Sequence, residues 1–315
     1  MKNKFIITAG HAYVDIDVLA CAVAYAELLN IEGLNAEVCL TGTWNATISN
    51  SILNWGISIK HEEPFLCDEL KFVIVDTSDS THFEAFVKIE KIVEIFDHHF
   101  GYEDYWFQRL RTKSHIEPVG ACATLIWEQF KSRKQINKIT SLSANLLYTA
   151  IIANTLNLKA CVTTLRDIEA ALELKKINNL PNNWIEQYYS EVTKTIMNDP
   201  VTAIADDNKR LEINGKNYII GQLELWDPRI LIDNPKLLEI CRQGLKIKEE
   251  EKNVPYLVTI ASIKDGFNYF VTDSDEMRSF LTAQFKSQFN NNIFGISEKL
   301  WLRKDIIKSL YQQSN

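Results

Sequence analysis

Lys91-Ile92-Val93-Glu94-Ile95-Phe96-Asp97-His98-His99 is a short apolar run that ends in a carboxylate and two imidazoles. Runs of β-branched and aromatic residues bounded by polar ones read as buried strands. Working outward, Phe5-Ile6-Ile7-Thr8, Ala36-Glu37-Val38-Cys39-Leu40 and Phe72-Val73-Ile74-Val75 have the same texture. Helical patterns lie between them, from about Val18 to Asn30 and from Trp44 to Trp55. Alternating strands and helices imply an α/β fold: a mostly parallel sheet with helices on both faces. Ligands in such sheets gather at the carboxyl ends of the strands. Three of the four strand ends here lead into His, Asp or paired His.

Beyond this region helices dominate from about Thr124 to Val192, with clear helical spacing over Leu165 to Leu174 and a turn cluster at 178–183. The texture changes after Asp199-Pro200. Leu211 to Ile220 forms two alternating runs about Asn214-Gly215, a strong hairpin signal. Tyr256 to Ile260 and Phe267 to Val271 form a second pair about Asp265-Gly266. The expected organisation is a domain over 1–192 and a smaller α+β domain with an antiparallel sheet over 193–315.

The 315 residues carry 34 Lys and Arg against 41 Asp and Glu, a formal charge of −7. An acidic chain with a pI near 5.5 lacks the electrostatic footprint of a general nucleic-acid binder. A small anionic substrate remains compatible, held by a metal or a local basic cluster. Phe5-Ile6-Ile7 is too short for the apolar core of a signal peptide. The twenty-residue uncharged run Ile139 to Leu158 contains eight Thr, Ser or Asn and does not suit hydrocarbon. The six cysteines form no CxxC pair, so buried reduced thiols and a cytoplasmic protein are expected.

Hard metal ligands concentrate in three segments: Gly10-His11-Ala12-Tyr13-Val14-Asp15-Ile16-Asp17, Val75-Asp76 and Asp97-His98-His99. Imidazole and carboxylate without thiolate suit Mn, Fe, Co, Zn or Mg. A carboxylate able to bridge, with several other ligands around it, suits two metals roughly 3.5–4 Å apart.

GHAYVDID, IVD and FDHH resemble the first three motifs of the DHH phosphoesterase superfamily. IEPVGACATLI (Ile116 to Ile126) and LLYTAIIANTLNLKACVTTLRDIEAALEL (Leu146 to Leu174) are similar to stretches of the family II, manganese-dependent inorganic pyrophosphatases. DNKRLEINGKNYIIGQLE (Asp207 to Glu224) and LRKDIIKSL (Leu302 to Leu310) resemble signature stretches of their DHH-associated type 2 domain. The likeness runs in order along nearly the whole chain.

The resemblance implies a role for each matching position. His11 and Asp15 would hold a first divalent metal, Asp17 and His98 a second, and Asp76 would bridge them, with Mn preferred and Co, Mg or Zn as alternatives. Asp97 would orient the neighbouring imidazole, and His99 would face the substrate as a donor to a phosphate oxygen. Lys209, Arg303 and Lys304 would bind the phosphates. The implied reaction is hydrolysis of a phosphoanhydride, inorganic pyrophosphate to two phosphates, by a metal-bridging hydroxide. The chain departs from the family at Asn154, where the fourth motif has an Asp ligand. Asn still offers a carbonyl oxygen but removes one negative charge from the second metal's shell. Val14 stands where Pro is usual, and Thr77 where the pyrophosphatases have His. Two alternatives follow: an exopolyphosphatase or other short-chain polyphosphate hydrolase, and a degenerate phosphate-ligand sensor. A cyclic-dinucleotide or oligonucleotide phosphodiesterase fits less well, because those relatives end in a glycine-rich motif with His, and no His follows His115. Relatives that pair through sheet edges make a homodimer an expectation as well.

Overall fold

The computed structural model describes residues 3–65, 67–251, 253–290 and 293–313. Two compact units emerge. The first runs through Leu158 and includes Thr163–Ile185; the second comprises Lys159–Val162 and the chain from Glu186 onward.

The first unit is built on a five-stranded sheet: β1 (Lys4–Thr8), β2 (Asn35–Val38), β3 (Leu70–Val75), β4 (Ile92–Asp97) and β5 (Ser114–Ile116). The order is β2-β1-β3-β4-β5 and every pairing is parallel. The chain leaves β1 for β2 on one side and reaches β3 on the other. The strand order therefore reverses between β1 and β3, where a crevice opens at the carboxyl ends. One face of the sheet packs Ile6, Phe72, Ile74 and Ile95 with Phe83, Phe86 and Trp106. Trp106 comes from α2 (Glu103–Leu110), whose remaining residues lie largely at the surface. On the other face Tyr25 of α1 (Ile16–Ile31) meets Phe96, ring centroids 4.7 Å apart. This helix is buried nearly all round, as a helix between a sheet and other helices must be. Helices α3 (Cys122–Ser132), α4 (Ser141–Asn154) and α5 (Leu165–Ile177) follow, and α6 (Trp184–Asn198) belongs from Glu186 onward to the second unit.

The helical pattern read over Trp44 to Trp55 gives only one turn, Asn50–Leu53. Thr43–Trp44 instead pairs in parallel with Tyr13–Val14, because a short extended ladder satisfies the backbone of the loop after β1.

The second unit holds a six-stranded sheet of β6 (Asn208–Ile213), β7 (Lys216–Leu225), β8 (Tyr256–Ser262), β9 (Phe267–Val271), β10 (Gln288–Phe289) and β11 (Phe294–Ser297), in the order β10-β11-β9-β8-β7-β6. The hairpin at Asn214-Gly215 forms with both residues left-handed, φ 51° and 76°, the geometry a two-residue turn of this kind demands. The hairpin at Asp265-Gly266 also forms. The sheet is not antiparallel throughout, however: β7 and β8 run parallel. The chain between them passes through Arg229–Ile232 and Leu237–Gly244, a connection long enough to carry it back to the same end. Helices α7 (Asp275–Phe285) and α8 (Arg303–Gln313) cover one core, with Met277, Phe280, Ile306 and Leu310 packed on Ile220, Leu257 and Phe270.

Among the described residues no helix is long and apolar enough to cross a membrane. All six cysteines are free; four are buried, Cys67 is half-buried and Cys161 is exposed, which corrects the expectation that all would be buried.

Candidate metal centre

The carboxyl ends of β1, β3 and β4 bring acidic and imidazole groups together. Asp76 follows β3 in a left-handed conformation, φ 58°, with its N–H donating 2.8 Å to the Phe96 carbonyl of the neighbouring strand. That conformation costs a non-glycine residue energy and turns the side chain off the end of the sheet. Asp76 Oδ1 is buried and has no hydrogen-bond partner. His98 Nε2 lies 3.3 Å from it and 4.0 Å from Asp17 Oδ2. Asp76, His98 and His99 each offer a ligand atom, all within 4.8 Å of one another.

The imidazoles are set by acceptors. A carbonyl oxygen can only accept, so the ring nitrogen beside it carries the proton and the other presents a lone pair. His98 Nδ1 donates to the Val119 carbonyl at 3.2 Å, and His11 Nδ1 donates to the His82 carbonyl at 2.8 Å. Both rings therefore carry their lone pair on Nε2. His11 is exposed, in the loop after β1.

Asp97 is fully buried. Its Oδ1 accepts from the backbone N–H of His98 at 2.8 Å, that of His99 at 3.1 Å and His99 Nδ1 at 2.8 Å. Asp97 therefore orients the His99 ring. The expectation that it orients the neighbouring ligand imidazole, that of His98, is corrected: the Val119 carbonyl does so.

Asp15 caps α1, its Oδ1 accepting from Val18 N at 2.9 Å. Asp17, in the first turn of the helix, points away from solvent altogether. Its oxygens accept from Cys122 N and Ala123 N, both at 2.8 Å, and from the Cys21 thiol at 3.4 Å. It serves as the cap for α3, whose own cap residue, Ala121, has no polar side chain. Burial first, and the Asp15 charge second, push the Asp17 carboxyl up to about 7 despite those donors. Burial, then Asp17 and Asp15, likewise raise Asp76 well above the carboxylate range. Three neighbouring carboxylates repel one another, and a divalent cation is the species that would relieve them.

Asn154 closes α4, with Nδ2 donating 3.2 Å to its own helix at the Ala150 carbonyl. Lys209, Arg303 and Lys304 lie in the second unit. Arg303, at the head of α8, donates to the Asp207 carbonyl at 2.6 Å and pairs with the Asp207 carboxylate. Lys209, exposed as a residue, has its ammonium pKa lowered by desolvation and by the Arg303 charge, with Asp207 acting the other way. Strand β5, which borders β4 at the sheet edge, was not legible in the sequence; its three residues are all half-buried and carry no alternation. Val119 escaped notice as well, because a backbone carbonyl has no sequence signature.

Residues 5–151 match the family model described as the DHH family, N-terminal domain. That span contains His11, Asp15, Asp17, Asp76 and His98 and stops short of Asn154. The chain is 25% identical to a protein of Lactobacillus acidophilus named a manganese-dependent inorganic pyrophosphatase, with 100% of each chain covered. Among solved structures, that of a Methanococcus jannaschii protein described as a family II inorganic pyrophosphatase covers 98% of this chain and 99% of its own, with a TM-score of 0.65 and 22% identity. An exopolyphosphatase-related protein from Bacteroides fragilis covers 99% and 92%, with a TM-score of 0.52 and 13% identity. These structural likenesses establish the shared two-part α/β fold.

Proposed function

We propose that this chain, whose residues 5–151 carry a DHH-family domain, is a metal-dependent hydrolase of inorganic pyrophosphate. The observation that carries the reading is Asp76 Oδ1: buried, without a hydrogen-bond partner, 3.3 Å from His98 Nε2 and crowded by other carboxylates. A buried acceptor in that position costs free energy unless a cation completes it. His11 and Asp15 would hold one divalent ion, Asp17 and His98 the other, and Asp76 both. Manganese is the first candidate, given the relative's name. When bound, such ions acidify water and draw charge from phosphoryl oxygens.

The protein's own groups do the rest. Asp97 accepts from His99 Nδ1, so in the imidazolium form the proton on His99 Nε2 is free to pass to a phosphate oxygen. In the second unit Arg303, held by Asp207, would offer a phosphate a planar fork, and Lys209 and Lys304 would offer point charges. An anion arriving beside Lys209 would reverse the depression of its pKa, which favours binding. Asn154 in place of a carboxylate leaves one ion less strongly held, so a higher manganese requirement is expected.

The test is phosphate release from pyrophosphate and tripolyphosphate with Mn, Co, Mg and Zn. Pyrophosphate should be the faster substrate, with Mn the best ion. Faster release from tripolyphosphate would assign a polyphosphatase instead. Binding of metal and polyphosphate without release would make the chain a sensor.

A further inference from the structure

We infer that Asp167 is a positioning residue for the metal centre: its buried carboxylate fixes the turn at 117–121, and the backbone of that turn and of the two residues after it sets His98 and Asp17. The inference rests on reading His98 and Asp17 as metal ligands.

Asp167 lies in the first turn of α5 and has no exposed surface. Its Oδ2 accepts from Thr164 N at 2.8 Å and Thr164 Oγ1 at 2.6 Å, closing a capping box for its own helix. A capping box needs no more than that. Yet Oδ2 also accepts from Gly120 N at 2.9 Å, and Oδ1 accepts from Ala121 N at 3.3 Å and Thr124 Oγ1 at 2.6 Å. These three donors come from the head of a different helix, α3. Beside Asp167, Arg166 pairs with Glu117 at 2.6 Å and reaches Glu128 of α3 through Nε at 2.8 Å. The turn has no room to shift: a Cβ on Gly120 would meet Thr155 Cγ2 at 2.6 Å and Asp167 Oδ2 at 2.8 Å.

The same few residues face the candidate centre. Glu117 N donates to the Asp97 carbonyl at 3.1 Å, Val119 O accepts from His98 Nδ1, and Cys122 N and Ala123 N hold Asp17. The head of α3 is thus gripped by two buried carboxylates. Asp17 belongs to the centre, and Asp167 stands behind it, joined to the ligands only through backbone. Moving the turn would free the His98 ring to change tautomer and would shift the amides that hold Asp17.

The experiment compares the full-length wild-type chain with Asp167→Asn, which keeps the side-chain size and removes one acceptor oxygen. Histidine ¹⁵N spectra of the metal-free protein, at a pH about two units above the ordinary imidazole value, report each tautomer without any metal. Wild-type His98 should be the Nδ1–H form, and Asp167→Asn should show a mixture of tautomers. His11, held by His82 on a separate loop, should not change and serves as the internal control. Equilibrium manganese binding should weaken by about tenfold to a hundredfold, the usual cost of losing support behind a ligand. An unchanged His98 signal overturns the inference, as does loss of tautomer order at His98 and His11 together, which would be general loosening. If Asp167→Asn does not fold, Gly120→Ala applies the same displacement from the other side and must give the same contrast. A wild-type chain that bound no manganese would refute the metal reading alone, while the tautomer contrast would still decide the role of Asp167.

Discussion

Replacing Asp76 with Asn should make the metal-free protein more stable and the enzyme nearly inactive. Asn keeps the shape of the side chain and tolerates the left-handed backbone at φ 58°, so neither packing nor strain confounds the comparison. In the absence of metal the Asp76 carboxylate has a buried oxygen without a partner, close to two other acids. Keeping this acid neutral in the folded protein costs about 1.4 kcal/mol for each pH unit between its unfolded and folded pKa values, a cost the amide, neutral at every pH, does not carry. For a unit of this size that is a rise in Tm of roughly 2–4 °C per kcal/mol. The gain should depend on pH. The folded pKa of Asp76 is raised above its unfolded value, so below the unfolded value the acid is neutral in both states and the substitution gains little. As pH rises through the window up to the folded pKa, the wild-type protein loses stability and the variant does not. Asp17, pushed up to about 7, adds to the same decline in both proteins. Urea melts of the metal-free proteins between about pH 4 and pH 8 measure the difference. Hydrolysis with manganese should fall by about 10²–10³-fold, the scale of losing one preorganised electrostatic group. A metal-free variant less stable than wild type at pH 8, or one that keeps most of its turnover, would refute the reasoning.

Glu94→Gln should destabilise the first unit by about 1–3 kcal/mol, because the buried carboxylate accepts from Tyr25, Lys113 and His115. Burial acts to raise its pKa, but those donors outweigh burial and lower it, so its contribution is present above the ordinary value of 4.5 and disappears as pH falls; urea melts of the two proteins should converge in acid. Gly215→Val, at φ 76°, should cost the second unit about 1–2 kcal/mol in the same assay and leave manganese affinity unchanged. Arg303→Ala should raise KM for pyrophosphate about tenfold or more with manganese affinity intact; weaker metal binding at an unchanged KM would reverse its assignment.

The alternation of strands and helices was legible because buried parallel strands must be apolar runs of limited length, and β1, β3 and β4 are such runs. The acids and imidazoles were legible because they are rare residue types clustered at the ends of those runs. Trp44 to Trp55 misled: its apolar spacing admits a helix, but extended pairing of Thr43–Trp44 with Tyr13–Val14 satisfied the backbone instead. The parallel pairing of β7 and β8 was hidden for a related reason, since strand direction is set by the path of the connection and not by the strand residues.

The sequence by itself determined which side chains could carry the chemistry and at which strand ends they sit. Tertiary structure alone decided how they are held: Asp17 capping a helix 105 residues downstream, Val119 setting the His98 tautomer, Asp97 serving His99, and Asp167 gripping the turn between them. These supports run through backbone N–H and C=O groups, which every residue possesses and no residue type announces. Only the folded chain shows which of them face a buried carboxylate or an imidazole.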